Sequence, residues 1–593
     1  MSAEMAGGGA GSSGKARNGT RAVHATAGWL AVMPLALWGA AVSCAAAQGA
    51  APSAPGLAPS DVRSAVPAAP AAAGAHAELV AKGQYLTQAG DCMACHTAET
   101  TNGKAGQPFA GGRMINTPFG AMSSPNITPD VKTGIGAWTD DQFYRAMHEG
   151  IGRHGEYLYP VMPFPWYSSV SRDDVLAIKA YLFTQPAVQA ARVPNRLAFP
   201  FNIRTSLLAW REVFFEPKTF QPDPTQTDEV NRGAYLANGL AHCGECHNAQ
   251  PVAGTSKWRR SLQGGVIDNW YAPNITSDAR DGIGSWSNDQ LATFLKTGVA
   301  PGKGIAVGPM METVHSLSHL TDADLHAIAA YLKTTPPQPD AKADQKLALF
   351  NGPDARGAQT YLNHCASCHG VNGQGVAGAI PALAGNGAVA SKGPQNVIRV
   401  IVGGREATHQ YGPMPAVGAG MSDQEVADAA NYVRQSWRNA APPTAMPGMV
   451  AQLRKETDTL MNAASGHGCP PVAQAAVAKA IADPRNGVAK QLAEIDEATM
   501  WQAAAQLGTT VARAAPKASH AEVVNGLTAA YCAVVHDDAK LAPNAKALQL
   551  GQFSQLVYMA VSDSSSAATR SAKRQARVAD ANKLKASSGS RLP

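Results

Sequence analysis

Two cysteines and a histidine recur at one fixed spacing in three places along this chain. Each copy reads Cys-x-x-Cys-His, and the copies occupy residues 92–96, 243–247 and 365–369. Two thiols three positions apart can both bond to the vinyl groups of one porphyrin, and the next residue offers an imidazole to the iron from the same side. The pattern therefore predicts three covalently attached c-type haems and an electron-transfer function. The predicted haem residues are Cys92, Cys95, His96, Cys243, Cys246, His247, Cys365, Cys368 and His369.

Other uses of a Cys-x-x-Cys pair suit this sequence less well. A thioredoxin-like redox pair requires a βαβ context, whereas these motifs lie in helical, loop-rich sequence. A structural zinc site requires four ligands, and each motif lacks partners at a suitable spacing. No nucleophile, acid–base pair or substrate-metal site is evident, so we predict no catalytic residue in the chain.

An internal repeat points to the sixth ligands of the irons. Residues 124–138 recur at 272–286, an offset of 148, which indicates duplicated haem units. The same offset maps Met162 onto Met310, and Met414 resembles Met162 because it also lies between prolines just before a helix. A methionine opposite the histidine would raise the reduction potential of the haem. We predict Met162, Met310 and Met414 as axial ligands.

Several rivals to these methionines stay open. Met311 follows Met310 directly, and Met421 precedes the helix start at Ser422-Asp423. Histidine could replace methionine at any of the sites. The histidine candidates are His154, His242, His364 and His409.

Each unit carries helices that would position these ligands. A helix containing a small glycine (Gly83, Gly233 or Gly357) runs into the haem motif, and the absence of a side chain there lets another helix approach. A second helix with apolar residues at helical spacing is predicted over 173–182, 323–332 and 423–437. The pattern resembles the small cytochrome c fold, in which the first and last helices cross. The predicted fold class is mainly α, with three tandem small cytochrome c domains at 76–190, 225–338 and 345–440 (the first, second and third units) and a helical domain at 446–563.

The two ends of the chain differ in composition from the three units. Residues 1–47 have a basic start, a short apolar stretch and an Ala-Ala-Ala cleavage site, so they predict a signal peptide. Cys44 could alternatively be a lipid anchor. Residues 48–75 are rich in Ala, Pro and Gly and predict a flexible linker. The basic residues 564–593 predict a disordered tail, which could also contact anionic lipid.

Composition limits the remaining choices. The net charge of +6 is small for 593 residues and gives no indication of nucleic-acid binding. No segment after residue 47 has 18 apolar residues without charge. Cys469 and Cys532 remain after the haem motifs and Cys44 are counted, and in an oxidising compartment we expect them to form a disulfide.

The chain resembles the trihaem cytochrome c subunits of bacterial membrane-bound dehydrogenases that act on alcohols, gluconate, glucose and related substrates. The resemblance covers residues 77–439 and rests on residues 124–130, 158–160, 231–236, 239–243 and 319–322. It implies a partner dehydrogenase with flavin, pyrroloquinoline quinone or molybdenum, and delivery of electrons to ubiquinone or a terminal oxidase. It also implies a periplasmic location at the outer face of the inner membrane. The family usually ends soon after the third haem, so the residues beyond 440 are a departure from it.

Two other functions stay open at this point. A stand-alone periplasmic shuttle would carry the same haems without a fixed partner. A multihaem peroxidase would require an open sixth position on one iron, whereas each unit offers a methionine.

Overall fold

The computed structural model describes residues 70–98, 106–117, 119–248, 262–339, 354–408, 410–466 and 468–562. These residues are largely helical with a few short strands, which confirms the mainly α fold class. The predicted signal peptide, most of the predicted linker, the basic tail and His409 lie outside the described residues. Within the described ranges, no helix is both long enough and apolar enough to cross a membrane.

The three units share a common order of elements. Each begins with a front helix, continues through a short helix at the haem motif and a middle helix, and ends with a closing helix. The front helices are Pro70–Ala89, Asp228–Asn238 and Ala355–His364; the motif helices are Cys92–Cys95, Cys243–His247 and Ala366–His369; the middle helices are Asp140–Glu149, Asn288–Thr297 and Gln395–Gly403; and the closing helices are Arg172–Leu182, Asp322–Thr334 and Asp423–Gln435.

Short elements connect these helices. In the first unit Met114–Thr117 pairs with Gly120–Ser123, and Arg196–Leu197, which follows the unit, adds a third antiparallel strand. In the second unit Gly265–Ile267 pairs with Trp270–Ala272, and Val299–Ala300 pairs with Gly304–Ile305. The remaining helical elements of the units and their connection are Phe164–Tyr167, Arg204–Ser206, Leu207–Phe214, Pro309–Leu317 and Val417–Gly420. Those that follow residue 440 are Pro447–Glu456, Ala463–Ser465, Ala475–Ala482, Pro484–Asn486, Val488–Ala493, Met500–Ala514, His520–Asp537 and residues 543–562.

The front and closing helices of each unit cross at the predicted glycine. A Cβ added at Gly83 would lie 1.9 Å from the carbonyl oxygen of Ala177, and one at Gly233 would lie 1.8 Å from that of Ala327. At Gly357 the corresponding distance, to the Asp428 oxygen, is 2.6 Å. All three are shorter than a Cβ contact allows, so the prediction that glycine permits this crossing is confirmed.

Polar side chains fix where the closing helices begin. Ser171, Thr321 and Ser422 each accept a hydrogen bond from a backbone amide three residues later. Such N-caps satisfy amides that have no partner within the helix. The predicted start at Ser422 is thereby confirmed. The third closing helix ends at Gln435 rather than 437, because Trp437 has a left-handed φ of 54° and leaves the helix.

The first two units share one continuous apolar core, which includes Leu86, Val175, Ile178, Leu236 and Ile328. The third unit has a separate core around Tyr361, Ile398 and Val426. That core also contains Ala445, Val450 and Leu453, so helix Pro447–Glu456 belongs to the third unit and not to the helical domain we placed from residue 446.

Residues 457–562 form a compact helical domain, called the C-terminal domain below. Its core includes Val477, Leu507, Leu527 and Phe553, all fully buried. The predicted disulfide is confirmed: Cys469 is bonded to Cys532. Because both cysteines pack on this core, the bond joins the start of the domain to helix His520–Asp537.

Two sequence expectations need correction. Residues 70–75 are part of the first front helix and not of the linker, since a proline at the first helical position followed by alanines favours helix formation. The repeat maps Met310 onto Met162 and so places it just before a helix, but Met310 lies in the first turn of Pro309–Leu317, again after a proline that starts the helix.

Candidate haem-binding sites

The three motif histidines are held in the same way. Nδ1 of His96 is 2.8 Å from the carbonyl oxygen of Pro125, and Nδ1 of His247 is 2.7 Å from that of Pro273. These prolines belong to the repeated Pro-Asn-Ile-Thr sequence. The third unit lacks that sequence, yet Nδ1 of His369 lies 3.1 Å from the carbonyl oxygen of Pro381. A carbonyl at Nδ1 accepts the ring proton, which leaves the lone pair on Nε2 to bind a metal.

The environment of these histidines favours the neutral ring. His96 and His247 are each 9% exposed and His369 is 7% exposed. Burial lowers the pKa of all three below the ordinary value, and the carbonyl hydrogen bonds only partly oppose it. Neutral imidazole is the form that coordinates iron, so the three histidines fit the role of haem ligands.

The repeated asparagine that follows each proline fixes the loop. Oδ1 of Asn126 accepts bonds from the amide and hydroxyl of Thr128, while its Nδ2 donates to the Val188 carbonyl. Asn274 makes the same bonds to Thr276 and donates to the Gln338 carbonyl. In both units the asparagine therefore ties the proline loop to the chain that follows the closing helix.

The motif cysteines are not paired with one another. Burial raises the pKa of Cys92 to about 12 and that of Cys243 to about 11. A redox-active Cys-x-x-Cys pair has a lowered thiol pKa, so this environment argues against a thioredoxin-like pair and fits thiols consumed in thioether bonds. The residues present fit haem c at each motif.

The methionines of the first two units lie beside the shared core. Met162 and Met310 are half-buried and pack against the same cluster as Cys92 and Cys243. Met311 faces elsewhere: its Sδ lies 3.5 Å from the position of a Cβ on Gly298. This arrangement favours Met310 over Met311 as the candidate ligand.

The third unit separates its two methionine candidates. Met421 is 6% exposed and packs inside the core of the unit. Met414 is half-buried, and its backbone pairs with Arg405 through bonds of 2.7 and 2.8 Å. Met414 thus lies on a fixed loop, whereas Met421 is a core residue, which favours Met414.

The alternative histidines are poorly placed. His154 and His364 are exposed, and His409 lies outside the described residues. His242 has its Nδ1 2.7 Å from the Leu240 carbonyl and its ring against Tyr167 of the first unit. His242 therefore contributes to the contact between the first two units.

Several polar residues near the motifs make contacts that the sequence did not predict. Arg113 donates to the Ala94 carbonyl (2.6 Å) inside the first motif and also binds Glu312 of the second unit (2.7 and 3.0 Å). Glu245, inside the second motif, accepts a 2.6 Å bond from the indole of Trp166 in the first unit. Only the position of Glu245 within a motif could have drawn attention to it, because the other contacts are made across the interface between units.

Buried carboxyl groups lie at this interface. Burial raises the pKa of Glu245 to about 7 and that of Asp91 to about 6, in spite of the hydrogen bonds from Trp166 and Ser316. Both residues adjoin motif cysteines. Two carboxyl groups with pKa values of about 6 and about 7 therefore lie where the first two haem motifs meet.

A mainly α fold with crossed helices and histidines held at Nδ1 beside thiol pairs defines a c-type cytochrome, an electron-transfer protein. The cytochrome c family matches residues 80–185 and 355–437. The chain is 39% identical to the cytochrome c subunit of alcohol dehydrogenase (quinone) from Gluconacetobacter polyoxogenes, over 64% of this chain and 85% of that protein. It is also 39% identical to the gluconate 2-dehydrogenase cytochrome c subunit of Pantoea cypripedii (64% and 90%) and 38% identical to the fructose dehydrogenase cytochrome subunit of Gluconobacter japonicus (67% and 87%). The chain belongs to this family of cytochrome c subunits.

Proposed function

We propose that this chain holds three haems c and is the electron-transfer subunit of a bacterial dehydrogenase. It would receive electrons from a catalytic subunit that uses flavin, pyrroloquinoline quinone or molybdenum, and pass them to ubiquinone or another respiratory acceptor. The observation that supports this most is the threefold recurrence of one arrangement: a thiol pair, a buried histidine held at Nδ1 by a proline carbonyl, and a half-buried methionine. The dehydrogenase partner follows from the named relatives.

The roles of the residues follow from their chemistry. When bound, each haem iron would supply a one-electron redox centre, and methionine ligation would place its potential high. Cys92 and Cys95 and their counterparts would hold the porphyrin covalently. Pro125, Pro273 and Pro381 orient the histidines, and the carbonyl bond raises the basicity of the ring.

We propose a periplasmic location at the outer face of the inner membrane. The signal peptide predicted at residues 1–47 supports export, and the resemblance to subunits of membrane-bound dehydrogenases supports the association.

Purification from native membranes in mild detergent tests the assembly. We expect a dehydrogenase subunit to remain bound, and mass spectrometry of that subunit would identify its cofactor class. Recovery of the protein alone in the soluble periplasmic fraction would instead support the stand-alone shuttle.

Single substitutions test the haem count and the ligands. Iron and haem analysis should give three haems per chain. Met162→Ala, Met310→Ala and Met414→Ala should each open one ferrous haem to carbon monoxide and lower one reduction potential. Met311→Ala and Met421→Ala are matched controls. If Met311→Ala opens a haem and Met310→Ala does not, the ligand of the second unit is Met311.

A further inference from the structure

The C-terminal domain packs against one particular part of the third unit, residues 403–420, which we call the Met414 loop. Asn525 forms two hydrogen bonds of 3.0 Å with the backbone of Ala407, one from the Ala407 amide and one to its carbonyl. Thr459 donates to the carbonyl of Gly403. The C-terminal domain therefore holds the first part of the loop, residues 403–407, by its backbone.

The other side of the loop is held by the last helix. The ring of Tyr558 lies 2.8 Å from where a Cβ on Gly412 would be, and its hydroxyl donates to the Gly378 carbonyl (3.3 Å). A Cβ on Gly551 would lie 2.7 Å from the Cβ of Pro415. These contacts flank Met414 directly, at two residues before it and one residue after it.

Apolar burial completes the contact. Ala416 is fully buried in a small cluster with Met461 and Ala547 of the C-terminal domain. A Cβ at Gly404 would also lie 2.8 Å from the Cβ of Met461. The C-terminal domain, which lies beyond residue 437 where the match to the cytochrome c family stops, thus contacts the loop at residues 403–407 before Met414 and at residues 412, 415 and 416 around it.

The first two units support their methionines differently. Met162 and Met310 both pack on the core that those units share. The third unit has no symmetric partner among the described residues, and the C-terminal domain supports its methionine loop instead.

We infer that the C-terminal domain is a positioning module that holds the Met414 loop so that the third haem keeps its methionine ligand. Asn525, Tyr558 and Gly551 are its positioning residues. The inference rests on the proposed function, because Met414 must be the ligand. A thioether–iron bond competes with local opening of its loop, so restraint of the backbone on both sides of Met414 lowers the population of the open state.

The test uses the full-length haem protein with two substitutions that release the loop, Asn525→Ala and Tyr558→Ala, singly and together. Carbon monoxide binding to the reduced protein reports an open sixth position, and potentiometric titration reports methionine ligation. We expect the double variant to bind carbon monoxide about tenfold more readily at one haem, with a lower potential for that haem alone, because it loses three hydrogen bonds and a ring contact. Trp501→Ala, at an exposed position of the same domain, should leave both readouts unchanged.

Folding and ligation can be told apart. Asn525→Ala could act by destabilising the whole C-terminal domain. Gly551→Ala keeps the Asn525 hydrogen bonds and instead pushes directly on Pro415, so this variant should open the same haem. If Met414→Ala opens a haem while the Asn525, Tyr558 and Gly551 variants all retain wild-type ligation, the positioning role is overturned and the ligand assignment stands. If Met414→Ala opens no haem, the proposed ligand itself is wrong.

Discussion

The first two units and the third solve the same packing problem in different ways. In the first pair, Tyr85 donates to Asp324 of the second unit (2.6 Å), and its counterpart Tyr235 donates to Asp174 of the first. The exchange is reciprocal, as in an interface with twofold symmetry. In the third unit Tyr361 lies four residues after its glycine rather than two, and it donates to Gly370 of its own unit.

The difference shows what a duplicated unit gains. Two similar units can cover each other's closing helices with the same residues used twice. The third unit instead meets the second through Asn396, which pairs with the backbone of Tyr271 (2.9 and 2.8 Å), and its ligand loop is covered by the C-terminal domain. The third unit therefore packs through contacts different from those that join the first two units.

Loss of the disulfide should destabilise the C-terminal domain and the Met414 loop of the third unit, and leave the first two units unchanged. Cys532→Ala removes a crosslink between residues 63 positions apart, for an expected cost of roughly 3–4 kcal/mol to the C-terminal domain. Hydrogen exchange measured by mass spectrometry should show faster opening over 457–562 and over the Met414 loop. If exchange in the Met414 loop stays unchanged, the stability of the loop does not depend on the C-terminal domain, and the contrast between the third unit and the first two is weakened.

Adding a methyl group at the helix crossing should harm the paired units more than the third. Gly233→Ala places a Cβ 1.8 Å from a backbone oxygen, and we expect it to cost about 3 kcal/mol. Gly357→Ala, at 2.6 Å, is the matched control, and we expect about 1 kcal/mol there. Thermal unfolding of both variants measures the contrast; equal losses would mean that the crossings are equally tight.

Removing one half of the reciprocal interface should loosen both paired units. Asp324→Asn takes the charge from a group bound to Arg232 (2.9 and 2.7 Å) and Tyr85, for an expected loss of about 2 kcal/mol. In the third unit Asp428→Asn is the control, since its Arg356 partner is 3.9 Å away and exposed, and the expected effect is below about 1 kcal/mol.

The Asp324 effect should depend on pH. Burial pushes the pKa of Asp324 upward, but the bonds from Arg232 and Tyr85 outweigh it, so the pKa lies below its ordinary value of 3.8. Its stabilisation is therefore present above that value and is lost as the pH falls through the lowered pKa. Denaturation curves of wild type and Asp324→Asn should converge in acid; a constant difference would contradict the ionic explanation.

The smallest expected effect concerns Glu245. Its pKa is raised to about 7 from 4.5, so ionisation costs stability as the pH rises through that interval. The shift sets an upper limit of about 3 kcal/mol on this loss, and the partial exposure of Glu245 to solvent reduces it to about 1 kcal/mol, which Glu245→Gln should remove in the first two units. The matching motif positions, Ala94 and Ser367, carry no charge, and hydrogen exchange in the third unit should not change. A fall in stability at all pH values would show that the Trp166 bond requires a carboxylate.

Local patterns predicted a large part of the molecule. The three haem motifs, the glycine crossings, the cap at Ser422 and the Cys469–Cys532 pair could be inferred because each depends on residue types at short or repeated spacing. The placement of Met310 in a helix and of residues 447–456 in the third unit could not. Both depend on how a proline-started helix packs, which residue order alone does not decide.

The sequence by itself determined where the three haem motifs lie and how many units carry them, since covalent attachment requires a fixed local spacing. Only the tertiary structure decided what surrounds those units. The proline carbonyls that orient the histidines lie 12 to 29 residues away, Tyr85 and Asp324 are 239 residues apart, and Asn525 lies 118 residues from Ala407. Contacts at such separations arise from packing of whole helices, whose relative positions are set by apolar burial across the entire core.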